Sequence, residues 1–312
     1  MIRTIVTALV LLLPATAPGV SLPLSPGEHT IRLQYEGRER SYVVHVPPAA
    51  RDRAALPVVL SFHGGGGSAA HQQRATRMHE LGAKEGFIVV YPNGGGRLES
   101  KLLTWNAGSC CGYSAAELVD DVGFVAALLD DLGSRTRVDR SRVYATGFSN
   151  GAMMAHRLAA ERPDLVAAIA PVGGAMVLER REPRKPVPLM HVHSVDDPRA
   201  LYAGGLGPPF PGTNNRVEHP PVEASLARWT KANGCVPTGH TVETRSWEEH
   251  TAEKISFNPC ASGAELVHWR LHGPGHVWPG GEPTRRERLT GPSTRVIDAN
   301  REIWEFFRTK RN

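Results

Sequence analysis

The chain has 312 residues, with 36 Lys and Arg against 31 Asp and Glu, for a formal net charge of +5 and a sequence pI near 9.2. With 41% hydrophobic and 21% charged residues it can bury a sizeable core, which excludes wholesale disorder, and its 32 glycines and 25 prolines follow no period, which excludes collagen-like and low-complexity chains. No Lys/Arg run concentrates the charge, so no nucleic-acid partner is implied.

The N-terminus reads as a leader. Met1–Arg3 carry one positive charge, Ile5–Leu13 form an apolar run ended by Pro14, and small residues follow through Ala17 to Ser21. That layout predicts a secretory signal peptide over residues 1–21, cleaved between Ala17 and Ser21, and a mature domain over 22–312. The run is too short for a membrane anchor, and no later run approaches the ~20 apolar residues of a transmembrane helix. The expectation is a secreted or periplasmic, soluble protein with no membrane span.

Alternation of apolar and polar residues over Thr30–Tyr35 and Tyr42–Val46, around Glu36-Gly37-Arg38, predicts a β-hairpin. Continuous apolar runs follow at Leu56–Phe62, Phe87–Tyr91, Arg142–Thr146, Val166–Val172 and Val187–His193, as suits strands of a parallel sheet covered on both faces. Helical patterns fall between or after them, around Gln72–Lys84, Val122–Leu132, Ala152–Ala160, Val222–Ala232 and Ala299–Phe307. This alternation predicts a doubly wound, mostly parallel α/β sheet in a single domain. Asp120 and Asp121, adjacent at a helix start, read as caps for its dipole. The stretch Gly204–Pro221, rich in Gly and Pro and without periodicity, predicts a long functional or mobile loop.

Four cysteines fit an exported chain. A bridge from Cys235 to Cys260, 25 positions apart, would contribute about 3 kcal/mol by the chain-entropy relation. Cys110 and Cys111 are adjacent, and could pair with each other, pair elsewhere or stay reduced; the spacing leaves three full connectivities open. No Cys-x-x-Cys spacing supports zinc.

The strongest chemical signal is Gly147-Phe148-Ser149-Asn150-Gly151, set between the strand-like Arg142–Thr146 and a helix-like segment from Ala152. In that setting Gly-x-Ser-x-Gly is a nucleophile elbow: a tight turn that projects Ser149 above the strand end, at a helix N-terminus that favours developing negative charge. A serine hydroxyl needs a base, and the base needs an acid, in the chain order Ser, Asp, His. The strand ending at His193 runs into Ser194-Val195-Asp196-Asp197-Pro198. Asp197 is preferred to its neighbour Asp196 because Pro198 rigidifies the turn there. His276, in a loop of glycines and prolines, is the predicted base, and its rival His272 closes a strand. A metal held by His272 and His276, or by His191 and His193, lacks a third ligand, so neither metal nor cofactor is expected. The oxyanion donors are predicted to be the amides of Asn150 and Gly65, with Gly64 and Gly66 close alternatives in His63-Gly64-Gly65-Gly66-Gly67. No Gly-Lys-Ser/Thr follows those glycines, so they are not a P-loop. Trp278 and Tyr202 are expected to line the substrate pocket; Phe210 and Trp105 are further aromatics of that region.

Ser61–Gly65, Trp105–Gly112, Gly147–Gly151, His193–Pro198 and Gly275–Gly281 together make the chain resemble the secreted polyhydroxybutyrate depolymerase/feruloyl esterase-like family of α/β-hydrolase serine esterases. The resemblance covers nearly all of the expected mature chain. It implies the α/β-hydrolase fold, Ser149 as nucleophile, His276 as base and Asp197 as acid, four residues beyond a histidine. It also suggests that Cys235 and Cys260 are paired. Some relatives carry a cysteine where Gly65 stands, which leaves the partners of Cys110 and Cys111 open. The large polymer depolymerases append further domains, whereas only Arg308–Asn312 follow the last predicted helix here, so soluble or oligomeric esters are the expected substrates. The function implied is hydrolysis of carboxylic esters, of hydroxyalkanoate oligomers or of the feruloyl or acetyl type, through an acyl-enzyme. An acyltransferase with the same triad, or a binding protein that has lost the chemistry, is the alternative.

Overall fold

The computed structural model describes residues 24–312, apart from 53, 99, 180, 211–213 and 284–286. The leader expected over 1–21 lies outside the described residues.

In chain order, strands β1 (Gly27–Tyr35) and β2 (Arg38–Val46) are followed by β3 (Leu56–Phe62), helices α1 (Ala69–Thr76) and α2 (Met78–Glu85), β4 (Ile88–Pro92), α3 (Gly112–Ala116), α4 (Asp121–Arg135), β5 (Val138–Phe148) and α5 (Asn150–Glu161). Then come β6 (Ala168–Val172), β7 (Leu189–Ser194), the short pair β8 (Gly205–Leu206) and β9 (Glu218–His219), and α6 (Val222–Asn233). The chain closes with β10 (His240–Trp247), β11 (His250–Ser256), β12 (Leu266–His272), α7 (Glu287–Thr290) and α8 (Ala299–Phe307).

Ten strands form one sheet in the order β1-β2-β4-β3-β5-β6-β7-β12-β11-β10. From β4 to β12 neighbouring strands are parallel, and the outer pairs on each side are antiparallel. This is the mostly parallel sheet expected. The hairpin turn is Glu36-Gly37, both at positive φ (48° and 70°), the backbone whose twist suits a two-residue connection.

Period-two alternation explains the continuous apolar runs. Val58, Leu60, Ile88, Val90, Ile169 and Leu189 face a core completed by Leu128 and Leu132 of α4, Met154 and Leu158 of α5 and Trp229 of α6. Their neighbours Val59, Val89, Ala168, Ala170 and Met190 face the opposite core, closed by Met78 of α2 and by Ile303, Trp304 and Phe307 of α8. A strand buried on both faces has no room for polar alternation.

Two local expectations are corrected. The single helix expected around Gln72–Lys84 breaks at Arg77, which adopts φ 51°, ψ 26°. The Thr76 hydroxyl donates back to the Gln72 carbonyl (2.9 Å) and the Arg77 N–H to the Gln73 carbonyl (2.9 Å), which closes α1. Asp120 does cap α4, accepting the Gly123 N–H at 2.9 Å. Asp121 is not a cap: fully buried, it accepts Arg40 Nη2 at 2.7 Å and the Asn106 N–H at 2.8 Å.

The parallel strands deliver their carboxyl ends to one rim, the usual place for a site in such sheets. His63 follows β3, Ser149 follows β5, Gly173 and Gly174 follow β6, Asp197 lies just beyond β7, and His276 lies four residues beyond β12.

Candidate active site

Ser149 sits between β5 and α5 at φ 56°, ψ −119°, a conformation that L-residues rarely adopt. The flanking glycines make the turn sterically feasible. A Cβ on Gly147 would lie 2.5 Å from the Gly151 carbonyl, and one on Gly151 would lie 2.6 Å from the His63 carbonyl oxygen. The Ser149 N–H donates to Val172 O (2.9 Å) and its carbonyl accepts the Met153 N–H (3.1 Å), which fixes the turn against β6 and α5.

Asp197 and His276 are joined. The His276 Nδ1–H donates to Asp197 Oδ2 at 2.7 Å, and the other carboxylate oxygen accepts the Arg199 and Ala200 N–H groups at 2.7 and 2.8 Å. His193 Nε2 donates to Ala200 O (2.8 Å) and lies 3.5 Å from Asp197 Oδ2. Burial works against the charge on Asp197, but the His276 ring and the hydrogen bonds from His193 and His276 outweigh it and hold the carboxyl well below the usual carboxylate range. Asp196 does something else: it accepts the Gly273 N–H at 2.7 Å, bracing the loop that carries His276. That loop is also tied by Gly275 N–H to Pro292 O (2.9 Å) and by His276 N–H to Thr290 O (2.5 Å).

The imidazole lies beside the elbow. Its ring centroid is 4.5 Å from that of Phe148, and a Cβ on Gly173 would stand 3.5 Å from His276 Cε1. One on the next residue, Gly174, would clash with the Ser149 carbonyl.

On the other side of Ser149 lies the glycine loop after β3. Cβ atoms built on Gly64 and Gly65 would be 3.4 Å from Ser149 Cβ and 3.6 Å from Asn150 Cβ. The Gly66 and Gly67 amides are committed to Leu103 O and Gly64 O, so Gly66 drops out as an alternative to Gly65. His63 shapes this loop. Its Nε2 accepts the Gly94 N–H (3.0 Å), so the proton is on Nδ1, which donates to Gly64 O (2.8 Å). Burial pulls its pKa down to about 4, so the ring is neutral. Trp105 adds an indole N–H to His63 O at 2.9 Å.

The side chain of Asn150 has a separate task. Its Oδ1 accepts the Trp105 N–H (2.7 Å) and its Nδ2 donates to Trp105 O (3.1 Å), docking the 105–111 loop on the elbow. A disulfide joins Cys110 to Cys111 in that loop. It packs with Ala107, Met153 and Val177, and Phe210 lies against the group. Cys235 is bonded to Cys260, tying the end of α6 to the segment after β11.

The two aromatics expected in the pocket are engaged elsewhere. Trp278 is 7% exposed, packed in the core on the α8 side, with its indole N–H donating to Asn300 Oδ1 (3.1 Å). The Tyr202 hydroxyl donates to Glu223 (2.6 Å) and lies 3.0 Å from His268 Nε2. Both rings make these packing and hydrogen-bond contacts, and a further aromatic, Phe210, has its Cε1 3.8 Å from a Cβ built on Gly65. His191 is buried against the Gly174 carbonyl (3.3 Å). Among the described residues no group of three or more His, Cys, Asp or Glu side chains is placed to hold a metal ion. No described helix is long and apolar enough to cross a membrane.

The sequence reading did not assign roles to His63, His193 or the Asn150 carboxamide. A histidine at the last residue before a glycine run, and one four residues before the acid, were the signals present.

The chain is similar to known esterases. NocK of Nocardia uniformis subsp. tsuyamanensis, named as an esterase, is 32% identical over 270 residues, which are 84% of this chain and 77% of that protein. The bifunctional acetylxylan esterase/xylanase XynS20E of Neocallimastix patriciarum is 28% identical over 88% of this chain, which spans about a third (34%) of that protein. Among solved structures, an acetyl xylan esterase from Aspergillus awamori superposes with a TM-score of 0.58 at 17% identity, covering 89% of this chain and 98% of that one, and the shared architecture is the α/β-hydrolase fold. Such relatives imply a carboxylic ester hydrolase. The sequence model described as Esterase PHB depolymerase matches residues 40–231, more than half of the chain, and the chain belongs to that family.

Proposed function

We propose that the protein is a secreted serine esterase that hydrolyses carboxylic esters through an acyl-enzyme, with Ser149, His276 and Asp197 as its triad. The observation that carries this reading is the 2.7 Å bond from His276 Nδ1–H to Asp197 on the rim where Ser149 occupies its strained turn. With its proton on Nδ1, the ring has Nε2 as its basic nitrogen, the tautomer a general base needs. His276 takes the Ser149 hydroxyl proton as the oxygen attacks the ester carbonyl, and Asp197 stabilises the imidazolium. The Asn150 and Gly65 amides hold the developing oxyanion. His276 then protonates the leaving alcohol, and water, deprotonated by the same ring, releases the acid and restores Ser149.

The substrates we assign are small or oligomeric esters, either hydroxyalkanoate oligomers or feruloyl and acetyl esters; XynS20E is named for the acetylxylan case. Export rests on the leader over residues 1–21. Hydrolysis of p-nitrophenyl butyrate by the purified mature protein tests the reading. Turnover that disappears in Ser149→Ala is the expected result, and a folded protein without turnover would overturn it. A panel of 3-hydroxybutyrate oligomers, methyl ferulate and acetylated xylan then separates the substrate classes.

A further inference from the structure

Within the stretch 204–221, which the sequence suggested as an irregular loop, the described residues 204–210 and 214–221 run as a paired arm. β8 and β9 pair Gly205 with His219 and Leu206 with Glu218, and the pairing continues as Gly207 N–H to Val217 O (2.9 Å) and Phe210 N–H to Asn215 O (2.9 Å). Arg199 reaches from the acid turn to Pro209 O at 3.2 Å, tying the arm to the segment that carries Asp197. The arm brings Phe210 to the site: its Cε1 is 3.8 Å from a Cβ on Gly65, whose other neighbour is Asn150 Cβ at 3.6 Å.

Behind Phe210 stand Met153, Val177 and the Cys110–Cys111 disulfide. Met153 is fixed to the elbow by its N–H to Ser149 O, and the disulfide loop is fixed by the Asn150–Trp105 clamp. A ring backed by such parts is a wall.

We infer that Phe210 is a specificity-determining residue, a wall that limits the acyl half of the ester to a short chain of the acetyl class. This rests on the reading that Gly65 and Asn150 receive the oxyanion. The leaving alcohol must face His276 to receive its proton, and His276 packs on Phe148 and Gly173. Phe210 packs instead with Met153 and the disulfide, and on that ground we assign it to the acid half. A ring 3.8 Å from where a Cβ on Gly65 would stand lies within reach of the first few atoms of the acyl chain.

The test is the ratio of kcat/KM for p-nitrophenyl octanoate to that for p-nitrophenyl acetate, measured in one preparation of each variant so that the folded fraction cancels. The wild type favours acetate. Phe210→Ala raises the octanoate-to-acetate ratio about tenfold or more, within the range that a few methylenes in a pocket command, and Phe210→Trp lowers it. A ratio in Phe210→Ala within about twofold of wild type, or a fall, would overturn the assignment while leaving the esterase reading intact. A wild type that hydrolyses neither ester would overturn both.

Discussion

The Asn150 side chain and the Trp105 backbone meet like two residues paired across a sheet, one amide accepting at 2.7 Å and donating at 3.1 Å to the other. One residue thereby holds two duties: its main chain adjoins Ser149, and its side chain positions the loop that carries the Cys110–Cys111 disulfide.

Asn150→Ala separates them. The variant keeps the main-chain N–H but leaves a buried N–H without its partner, a loss of about 1–3 kcal/mol. Urea unfolding should show that drop, and kcat/KM should fall with it, because the loop against which Phe210 packs is no longer docked. Unchanged stability would mean that the clamp is idle.

Asp196 and Asp197 separate by the same logic. Asp197→Asn keeps an oxygen for the Arg199 and Ala200 amides but cannot balance an imidazolium, so kcat should fall by about four orders of magnitude with little change in KM. Asp196→Asn touches only the Gly273 amide at 2.7 Å, and its loss should stay below about tenfold. Steady-state kinetics on the two variants tests the assignment.

The adjacent pair at the start of α4 makes a stability prediction. Asp121 and Arg40 are both buried, 2.7 Å apart, with the guanidinium 3.8 Å over the Phe124 ring. Burial pushes the Asp121 carboxyl up from its ordinary value, against the pull of Arg40. Removing one partner strands the other, so Arg40→Met should cost about 3–5 kcal/mol by chemical denaturation. Arg40→Met combined with Asp121→Leu should recover only part of that loss, because the Asn106 N–H then lacks its acceptor.

Neutral buried histidines set the response to acid. Burial, before any neighbouring charge, lowers His63 and His219 to about 4 and His156 and His268 to about 3. In the unfolded chain each titrates near ~6.5. Below that pH the unfolded state binds protons that the fold refuses, so this stability is complete above about pH 6.5 and is lost as pH falls toward about 4 and then 3. The urea midpoint should therefore decline before carboxylates titrate near ~4. His156→Gln, which can still accept the Trp229 indole N–H, should shallow that decline by one proton. A midpoint flat from pH 7 to 5 would contradict it.

The parallel sheet was legible because strands buried on both faces need uninterrupted apolar runs, and the tight turn at residue 149 because only small flanking residues permit it. Helix periodicity could not show the break at Arg77, which comes from a threonine hydroxyl bonding back to Gln72. Nor could adjacency tell that Asp120 caps a helix while Asp121 meets a cation on β2, 81 residues away in sequence. Trp278 follows His276 closely in the chain, but two residues of loop carry its ring into the α8 core. Phe210 was one aromatic among several until the arm brought it to Gly65.

Labelling with a fluorophosphonate, followed by mass spectrometry of the digested protein, addresses the central claim most directly. A single adduct on the peptide bearing Ser149, abolished in His276→Ala, is the predicted result. An adduct on another serine, or full labelling of the His276 variant, would contradict it.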